Sequence, residues 1–167
     1  MYIISGWNNL RHIENALAAL DMFVINKIIW KYNFGVYTKQ KYVSSHYEIL
    51  YVKKSKKVKV TFHPQRNGNQ IDTKAQYRGL EDVWHINKEY RRGKTRNQNK
   101  LPEALVEKMI LHSSNMGDVV GDFFMGNFTT AFVAKRLGRI PVGFEINQTA
   151  YEYFMPLVEC APIGMRV

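Results

Sequence analysis

Asp122, Gly126, the pair Thr129 and Thr130, and Glu145 are the side chains whose types and spacing could do chemistry in this 167-residue chain. They lie in the segment VVGDFFMGNFTTAFVAKRLGRIPVGFEIN. An apolar run reaches Phe124, the loop Met125-Gly126-Asn127-Phe128 follows, and a helical pattern begins at Thr129. A loop that leaves the C-terminal end of a strand and enters a helix is where α/β sheets bind nucleotides. Gly126 lets a ligand approach the backbone where a Cβ would collide. Asn127 is among the few non-glycine residues that tolerate a left-handed conformation, and Thr129 or Thr130 is suited to cap the helix. Glu145 stands at the end of the next apolar run, nineteen residues beyond Gly126. An acid about 20 residues on is placed to accept both hydroxyls of a ribose. With a single glycine, a βαβ turn that holds no ligand fits the same residues, and both readings stand at this point.

These residues need a frame. Tyr2 to Ser5 reads as a short buried strand ending at Gly6. Leu10, Ile13, Leu17 and Leu20 recur at helical spacing and predict an amphipathic helix that stops near Asp21. Val24 to Tyr32 and His46 to Val52 are rich in β-branched and aromatic residues and read as strands, with Asn33-Phe34-Gly35 opening their connection. The alternating Val58 to Phe62 is a candidate for one more strand. From His63 to about Asn99 the pattern dissolves into Gly, Asn, Gln, Arg and Lys, which reads as an extended, loop-rich insertion. Order returns at Leu101. Pro102 and Glu103 suit the first turn of a helix, Leu105, Val106, Met109 and Ile110 form its apolar stripe, and Asn115-Met116-Gly117 closes it. Then come a strand at Asp118 to Phe124, a helix from Thr129 to Leu137 ended by Gly138, a strand at Ile140 to Ile146, and a last helix, Gln148 to Cys160, interrupted at Pro156. Strand, loop, helix and strand within 30 residues make a βαβ unit, and such units build parallel sheets.

The length fits one domain. A hydrophobic content of 46% with 13% aromatics is enough for a packed core. Apolar runs fall well short of the roughly 20 residues that a membrane span needs, and the first residues do not read as a secretory signal. The single cysteine, Cys160, fits a reducing cytoplasm. The net charge is +10, and its location matters more than its size. Lys53 to Lys100 holds 14 Lys/Arg and 4 Asp/Glu, so the whole excess sits in one central segment. A phosphate-contact surface and a solvated basic face both account for that. Aromatics and amides interleaved there, among them Phe62, His63, Gln65, Gln76, Trp84 and Tyr90, suit base contacts and stacking.

The string DFFMGNFTTA…LGR…VGFEIN resembles the DPF-x-G-S-G-T-T…R…IGIE motif of DNA amino-methyltransferases that modify adenine N6 or cytosine N4. NKLPEALVEKMILHSSNMGD resembles the segment just before that motif, HYEILYVKK a strand with an H-E-x-hydrophobic core, and INKIIWKYN the strand preceding it. Strands of the catalytic half come first, a variable region next, and the cofactor motif last, which is the permuted β-type order of the family. The resemblance implies an α/β fold with a Rossmann-like methyltransferase sheet and S-adenosylmethionine as cofactor. It places Asp122, Phe124, Gly126, Asn127, Thr129 and Thr130 in the cofactor loop, Glu145 on the ribose, and Lys100, Leu101 and Pro102 along the methionine end. The chain is then one partial domain: catalytic-half strands in 1–61, a target-recognition insertion in 62–99, and the cofactor half in 100–167. The insertion and its approach would hold double-stranded DNA through Lys53, Lys54, Lys56, Lys57, Arg66, Arg78, Arg91, Arg92, Lys94 and Arg96. Phe123 stands where the family has Pro, and Asn127-Phe128 where it has Ser-Gly. The Phe128 ring has three places to go: the core, an adenine ring, or the pocket itself.

The family's (D/N/S)-P-P-(Y/F/W) tetrapeptide accepts hydrogen bonds from the exocyclic amine and stacks on the extruded base. It is not in these residues, since Pro64, Pro102, Pro141, Pro156 and Pro162 are never adjacent. In the family order it precedes Tyr2, so no catalytic residue is assigned here. The strand bearing it lies, by the resemblance, between the strands at Tyr2 and Asp118. Its loss leaves ladder groups unpaired on both neighbours: either the two halves close up in another way, or a second chain supplies the strand, or Met1 is an internal methionine of a longer reading frame. Two expectations follow: a methyltransferase whose catalytic piece sits elsewhere, or a non-catalytic DNA-binding remnant.

Overall fold

Isoleucine, leucine and valine crowd the strand β3 (His46–Lys53), where Glu48 to Val52 are all buried, and the first part of the fold is built around it. A strand buried on both faces reads as a continuous apolar run because each side chain meets a packed layer. β1 (Tyr2–Ser5) pairs antiparallel with one edge of β3, and β2 (Phe23–Lys31) with the other. β4 (Val83–His85) adds to β2 in parallel, giving the order β1-β3-β2-β4. The computed structural model describes residues 1–33, 35, 37–64, 80–89 and 100–164. The chain divides into two units, Met1–Val60 with Pro64–Asn87 and Thr61–His63 with Lys88–Val167.

In the first unit α1 (Trp7–Ala19) lays Leu10 and Leu17 on Leu50 and Val52 of β3. On the opposite face Trp30 stacks on Tyr47 with ring centroids 5.6 Å apart, and its indole N–H donates to the Ile86 carbonyl at 2.8 Å. Fully burying each such side chain stabilises by about 1.5–3 kcal/mol. Leu20, expected in the helix stripe, is instead exposed: the helix ends one residue earlier and the chain turns at Asp21 with φ 52°. The strand expected at Val58 to Phe62 does not form. Val58 closes a turn onto the Ser55 carbonyl, and no strand among the described residues offers it a ladder.

The second unit holds the βαβ unit. β5 (Val119–Asp122) and β6 (Ile140–Gly143) pair in parallel, joined through α3 (Thr129–Arg136). α2 (Glu103–Ser113) packs on α3 and buries Leu105, Val106, Met109 and Ile110, the stripe that the spacing predicts. Arg136 of α3 fastens the pair by bonding Glu103 at 2.9 Å. Pro102 stands one place ahead of the first turn, as the N-cap, and its carbonyl accepts from Leu105 and Val106. Both strands are shorter than expected, ending at Asp122 and Gly143, because the chain leaves the ladder where the loops begin. α4 (Gln148–Cys160) is not interrupted at Pro156. Lys135 Nζ gathers the last-turn carbonyls of Val158 and Glu159 at 2.8 and 2.6 Å, and Phe154 and Val158 anchor the helix in the core.

The fold is therefore mixed α/β with partial sheets. Among the described residues β1 pairs only with β3 and β5 only with β6, so each is an edge strand of its own sheet.

Candidate functional site

The loop after β5 is organised by two acids. Asp122 ends the strand, where Oδ1 accepts the Phe124 amide at 2.9 Å and Oδ2 accepts the Thr130 hydroxyl at 2.6 Å. The carboxylate thus pins the first turn of α3 to the strand end, a short side chain bonding its own backbone two residues on. Glu145, just past β6, accepts the Gly126 amide on Oε2 at 2.6 Å and the Asn147 amide on Oε1 at 2.7 Å. Asn147 in turn caps α4 by accepting from Ala150 at 3.0 Å. The arrangement gathers Asp122, Phe124, Gly126, Thr130 and Glu145 into one hydrogen-bonded strand-end loop.

Three local expectations change. The left-handed residues are Gly126 at φ 52° and Phe128 at φ 57°, not Asn127, which is buried. Neither threonine caps α3: its N-cap is Phe128 and has no side-chain bond, Thr129 is buried in the first turn, and Thr130 serves Asp122. Of the three places open to the Phe128 ring, the structure selects the core. It is 3% exposed and stacks on Phe154 at 6.0 Å, with Tyr151 edge-on. The backbone strain at Phe128 is sustained because burying an aromatic ring outweighs the roughly 1–2 kcal/mol that a left-handed non-glycine costs.

Phe124 is 90% exposed beside this loop, and Ile146, following Glu145, is fully exposed. Reading Ile146 as the last residue of a strand missed it. The available signal was its place next to an acid at a strand end, where a large apolar side chain has no core to enter. Exposed apolar groups next to a polar loop are of the types that small-ligand sites combine.

Lys100, Leu101 and Pro102 lie at the start of α2. Lys100 is ion-paired with Glu89 at 2.5 Å, and Glu89 also accepts the Glu103 amide. Pro102 is fully buried. Glu103, the next residue in the chain, bonds Arg136 of α3.

In the first unit Lys54, Lys56 and Lys57 are exposed on the turn after β3. Lys53 is turned back, donating to the carbonyls of Lys56 and Val58 and lying 5.2 Å from the Phe23 ring centre. Arg66, Arg78, Arg91, Arg92, Lys94 and Arg96 lie outside the described residues. Trp84 is buried, with its N–H on the Glu81 carbonyl, so it offers no free ring for stacking. In the second unit Phe62 stacks on His112 at 5.5 Å, and His63 is bonded to the His112 carbonyl and to Asn115. Among the described residues no group of three His, Cys, Asp or Glu side chains could hold a metal, and no helix is long and apolar enough to cross a membrane.

A family model described as DNA methylase, of the N6 and N4 methyltransferase type, matches residues 1–156. The chain belongs to this family. It is 32% identical over 160 residues to the type II methyltransferase M.HinfI of Haemophilus influenzae, covering 89% of this chain and 43% of that one. With M.HpaI of Haemophilus parainfluenzae the identity is 34% over 163 residues, covering 91% and 51%. The chain thus spans about half the length of these curated relatives. The solved complex of M1.HpyAVI with SAM superposes with a TM-score of 0.73 at 23% identity, covering 93% of this chain and 72% of that chain, and so shares its fold. At Phe128 the loop departs from the motif that it resembles, and there the ring packs in the core while the backbone is left-handed.

Proposed function

We infer that this chain is the cofactor-binding and DNA-contacting part of a site-specific DNA methyltransferase, one that moves a methyl group from S-adenosylmethionine to an exocyclic amine of adenine or cytosine. The observation that carries this reading is the bonded loop of Gly126 and Glu145 at the ends of two parallel strands, inside a methylase-family chain. The residues fit the cofactor. Glu145 accepts two amide hydrogens, and a carboxylate has about four acceptor positions, so capacity remains for ribose hydroxyls. Phe124 and Ile146 offer exposed apolar surface on either side of the loop for an adenine ring. Asp122 and Thr130 orient the loop rather than touch the ligand. Lys100, Leu101 and Pro102 remain the proposed surroundings of the methionine end, and Asn127 and Thr129 the proposed members of the cofactor loop.

When bound, the cofactor supplies an electrophilic methyl group. This chain's own residues bind and orient it and exclude water from one side. Acceptance of the amine hydrogens requires a polar-Pro-Pro-aromatic element, which these 167 residues do not contain; it is proposed to come from elsewhere, upstream in the same gene or on a second chain. Lys54, Lys56 and Lys57 would meet the phosphates of double-stranded DNA in the cytoplasm, giving affinity without sequence choice.

Titration calorimetry of S-adenosylmethionine into the purified chain tests the reading. Saturable one-to-one binding that sinefungin competes away is expected; heat of dilution alone would overturn it. The missing tetrapeptide favours a second reading, a non-catalytic remnant that still holds DNA. That reading expects DNA binding with no methyl transfer under any complementation.

A further inference from the structure

The two limbs that join β2 to β3 stay close beyond the last ladder pair. The Tyr32 amide donates to the Ser45 carbonyl at 3.0 Å, and the Lys31 ammonium donates to the Ser45 hydroxyl at 2.5 Å. Gly35 lies so near the returning limb that a Cβ there would stand 2.0 Å from a Val43 methyl and 2.9 Å from the Ser44 carbonyl oxygen. Thr38 closes the turn, its hydroxyl donating to the Lys41 carbonyl at 2.8 Å. The connection therefore ends in a shaped tip. On it Tyr37 is 78% exposed and Tyr42 99%, and Lys39 and Lys41 are exposed beside them. No acid stands between Asp21 and Glu48 in the sequence. Single apolar groups on a surface call for no explanation. Two aromatic rings bracketing two cations on one turn are a different case, because sites for unpaired nucleic acid combine those residue types.

The place of the tip in the first unit gives it a direction. β1, β2 and β4 run one way and β3 runs against them, so Ser5, Lys31 and His85 end their strands near where His46 begins β3. Open α/β sheets take ligands outside the carboxyl ends of their strands, and the tip rises from that end. Lys54, Lys56 and Lys57 follow the opposite end of β3, a strand of 8 residues, which is about 26 Å at ~3.3 Å per residue. We propose that the tip is a DNA-contacting element separate from that turn: Lys39 and Lys41 each meet a phosphate, and Tyr37 and Tyr42 stack on the bases that an extruded nucleotide leaves behind. The assignment rests on the methyltransferase reading. An exocyclic amine inside a duplex is out of reach, so its base must leave the stack. Its former neighbours then expose their faces, and aromatic stacking on them is indifferent to sequence, while phosphate contacts fix the register. An acidic protein would satisfy the lysines alone; nucleic acid offers anion and π face together.

Fluorescence anisotropy of the full chain with two labelled duplexes of one sequence, one fully paired and one carrying a single unpaired adenine, tests both halves. The wild type is expected to favour the duplex with the unpaired base. Tyr37→Ala combined with Tyr42→Ala should lose at least ~5-fold in affinity for that duplex, the low end for one stacked base, and little for the paired one. Lys39→Ala combined with Lys41→Ala should lower the slope of log K against log salt by ~1.8 on both duplexes, at ~0.9 for each phosphate. The melting temperature of the free chain should be unchanged in both variants, because the four side chains are exposed. Affinities and slopes that survive both double substitutions overturn the proposal and leave the functional reading standing. Tyrosine losses that are equal on the two duplexes overturn it as well, since stacking on unpaired bases would not act alike on both. A wild-type chain that binds neither duplex overturns the tip together with the DNA-contacting part of the functional reading.

Discussion

The Glu145 carboxylate accepts the Gly126 amide at 2.6 Å, closing a gap of nineteen residues between the end of β6 and the loop after β5. Its other oxygen holds Asn147 at the start of α4. One acid therefore fixes the shape of the loop and the entry to the next helix, while keeping acceptor positions for a ligand. Its loss should be felt in stability and in binding together.

Glu145→Ala removes both acceptors. Hydrogen bonds to a charged group contribute about 1.5–3 kcal/mol each when buried, and Glu145 is only half-buried, so the lower end applies. The melting temperature should fall, and S-adenosylmethionine affinity should drop at least ~10-fold, which is about 1.4 kcal/mol. Glu145→Gln keeps one carbonyl acceptor but sets an NH2 donor against the other amide, so it should recover only part of the stability and little of the affinity. Titration calorimetry and thermal melts read the two effects separately; an alanine variant that binds as the wild type does would remove Glu145 from the ribose.

Phe128→Gly sets two effects against each other. Glycine relieves the left-handed strain, about 1–2 kcal/mol, but the ring leaves a cavity beside Phe154 and Tyr151, and deleting a buried phenyl costs about 3–5 kcal/mol. The cavity wins. Urea denaturation should show a net loss of about 1–4 kcal/mol, the difference of the two ranges. A variant more stable than the wild type would mean that the ring is not in the core.

The spacing of Gly126 and Glu145 was legible because a ligand loop and an acid at successive strand ends are a matter of chain arithmetic. The destination of Phe128 was not, since its partners Tyr151 and Phe154 lie more than twenty residues away and nothing local prefers core to pocket. The α2 stripe was legible from its period. The false strand at Val58 to Phe62 shows the limit of alternation: the pattern says that one face differs from the other, but a ladder also needs a neighbour. Charge told where basic residues lie, not which are free, and Lys53 is spent on its own turn.

Asp122 and Thr130 should be energetically coupled. Thr130→Val leaves a carboxylate oxygen without its hydroxyl, and Asp122→Ala leaves the hydroxyl and the Phe124 amide unpaired. A double-mutant cycle by chemical denaturation should return a coupling of about 0.5–3 kcal/mol, the range for residues in one hydrogen-bond network. Strict additivity would show that the 2.6 Å contact contributes nothing.

The turn after β3 offers a test of DNA contact that separates neighbours in sequence. Neutralising one phosphate contact changes the slope of log K against log salt by about 0.9 on duplex DNA. If Lys54, Lys56 and Lys57 each meet a phosphate, their joint replacement by alanine should reduce the slope by ~2.7 units with little effect on folding. Lys53→Ala should do the reverse: a small change in slope, with loss of stability as the Lys56 and Val58 carbonyls lose their donor. Fluorescence anisotropy with labelled duplex between low and moderate salt measures both.

Burial holds the His112 imidazole below its ordinary value of 6.5; the bond from its Nδ1 to the His63 carbonyl opposes that shift, and nearby Lys108 adds to it. The unfolded chain therefore binds a proton at His112 more readily than the folded one. Stability is fully present above the ordinary histidine value, is lost as pH falls below 6.5, and stops falling once pH passes the folded value. The loss cannot exceed about 1.4 kcal/mol per pH unit for one proton. His112→Gln retains a donor for the His63 carbonyl and cannot titrate, so its urea midpoint should lose that component of the decline between pH 7.5 and 5.5. Equal declines in the two proteins would assign the acid sensitivity to another group, and with it would go the view that a neutral, buried His112 ring holds Phe62 against α2.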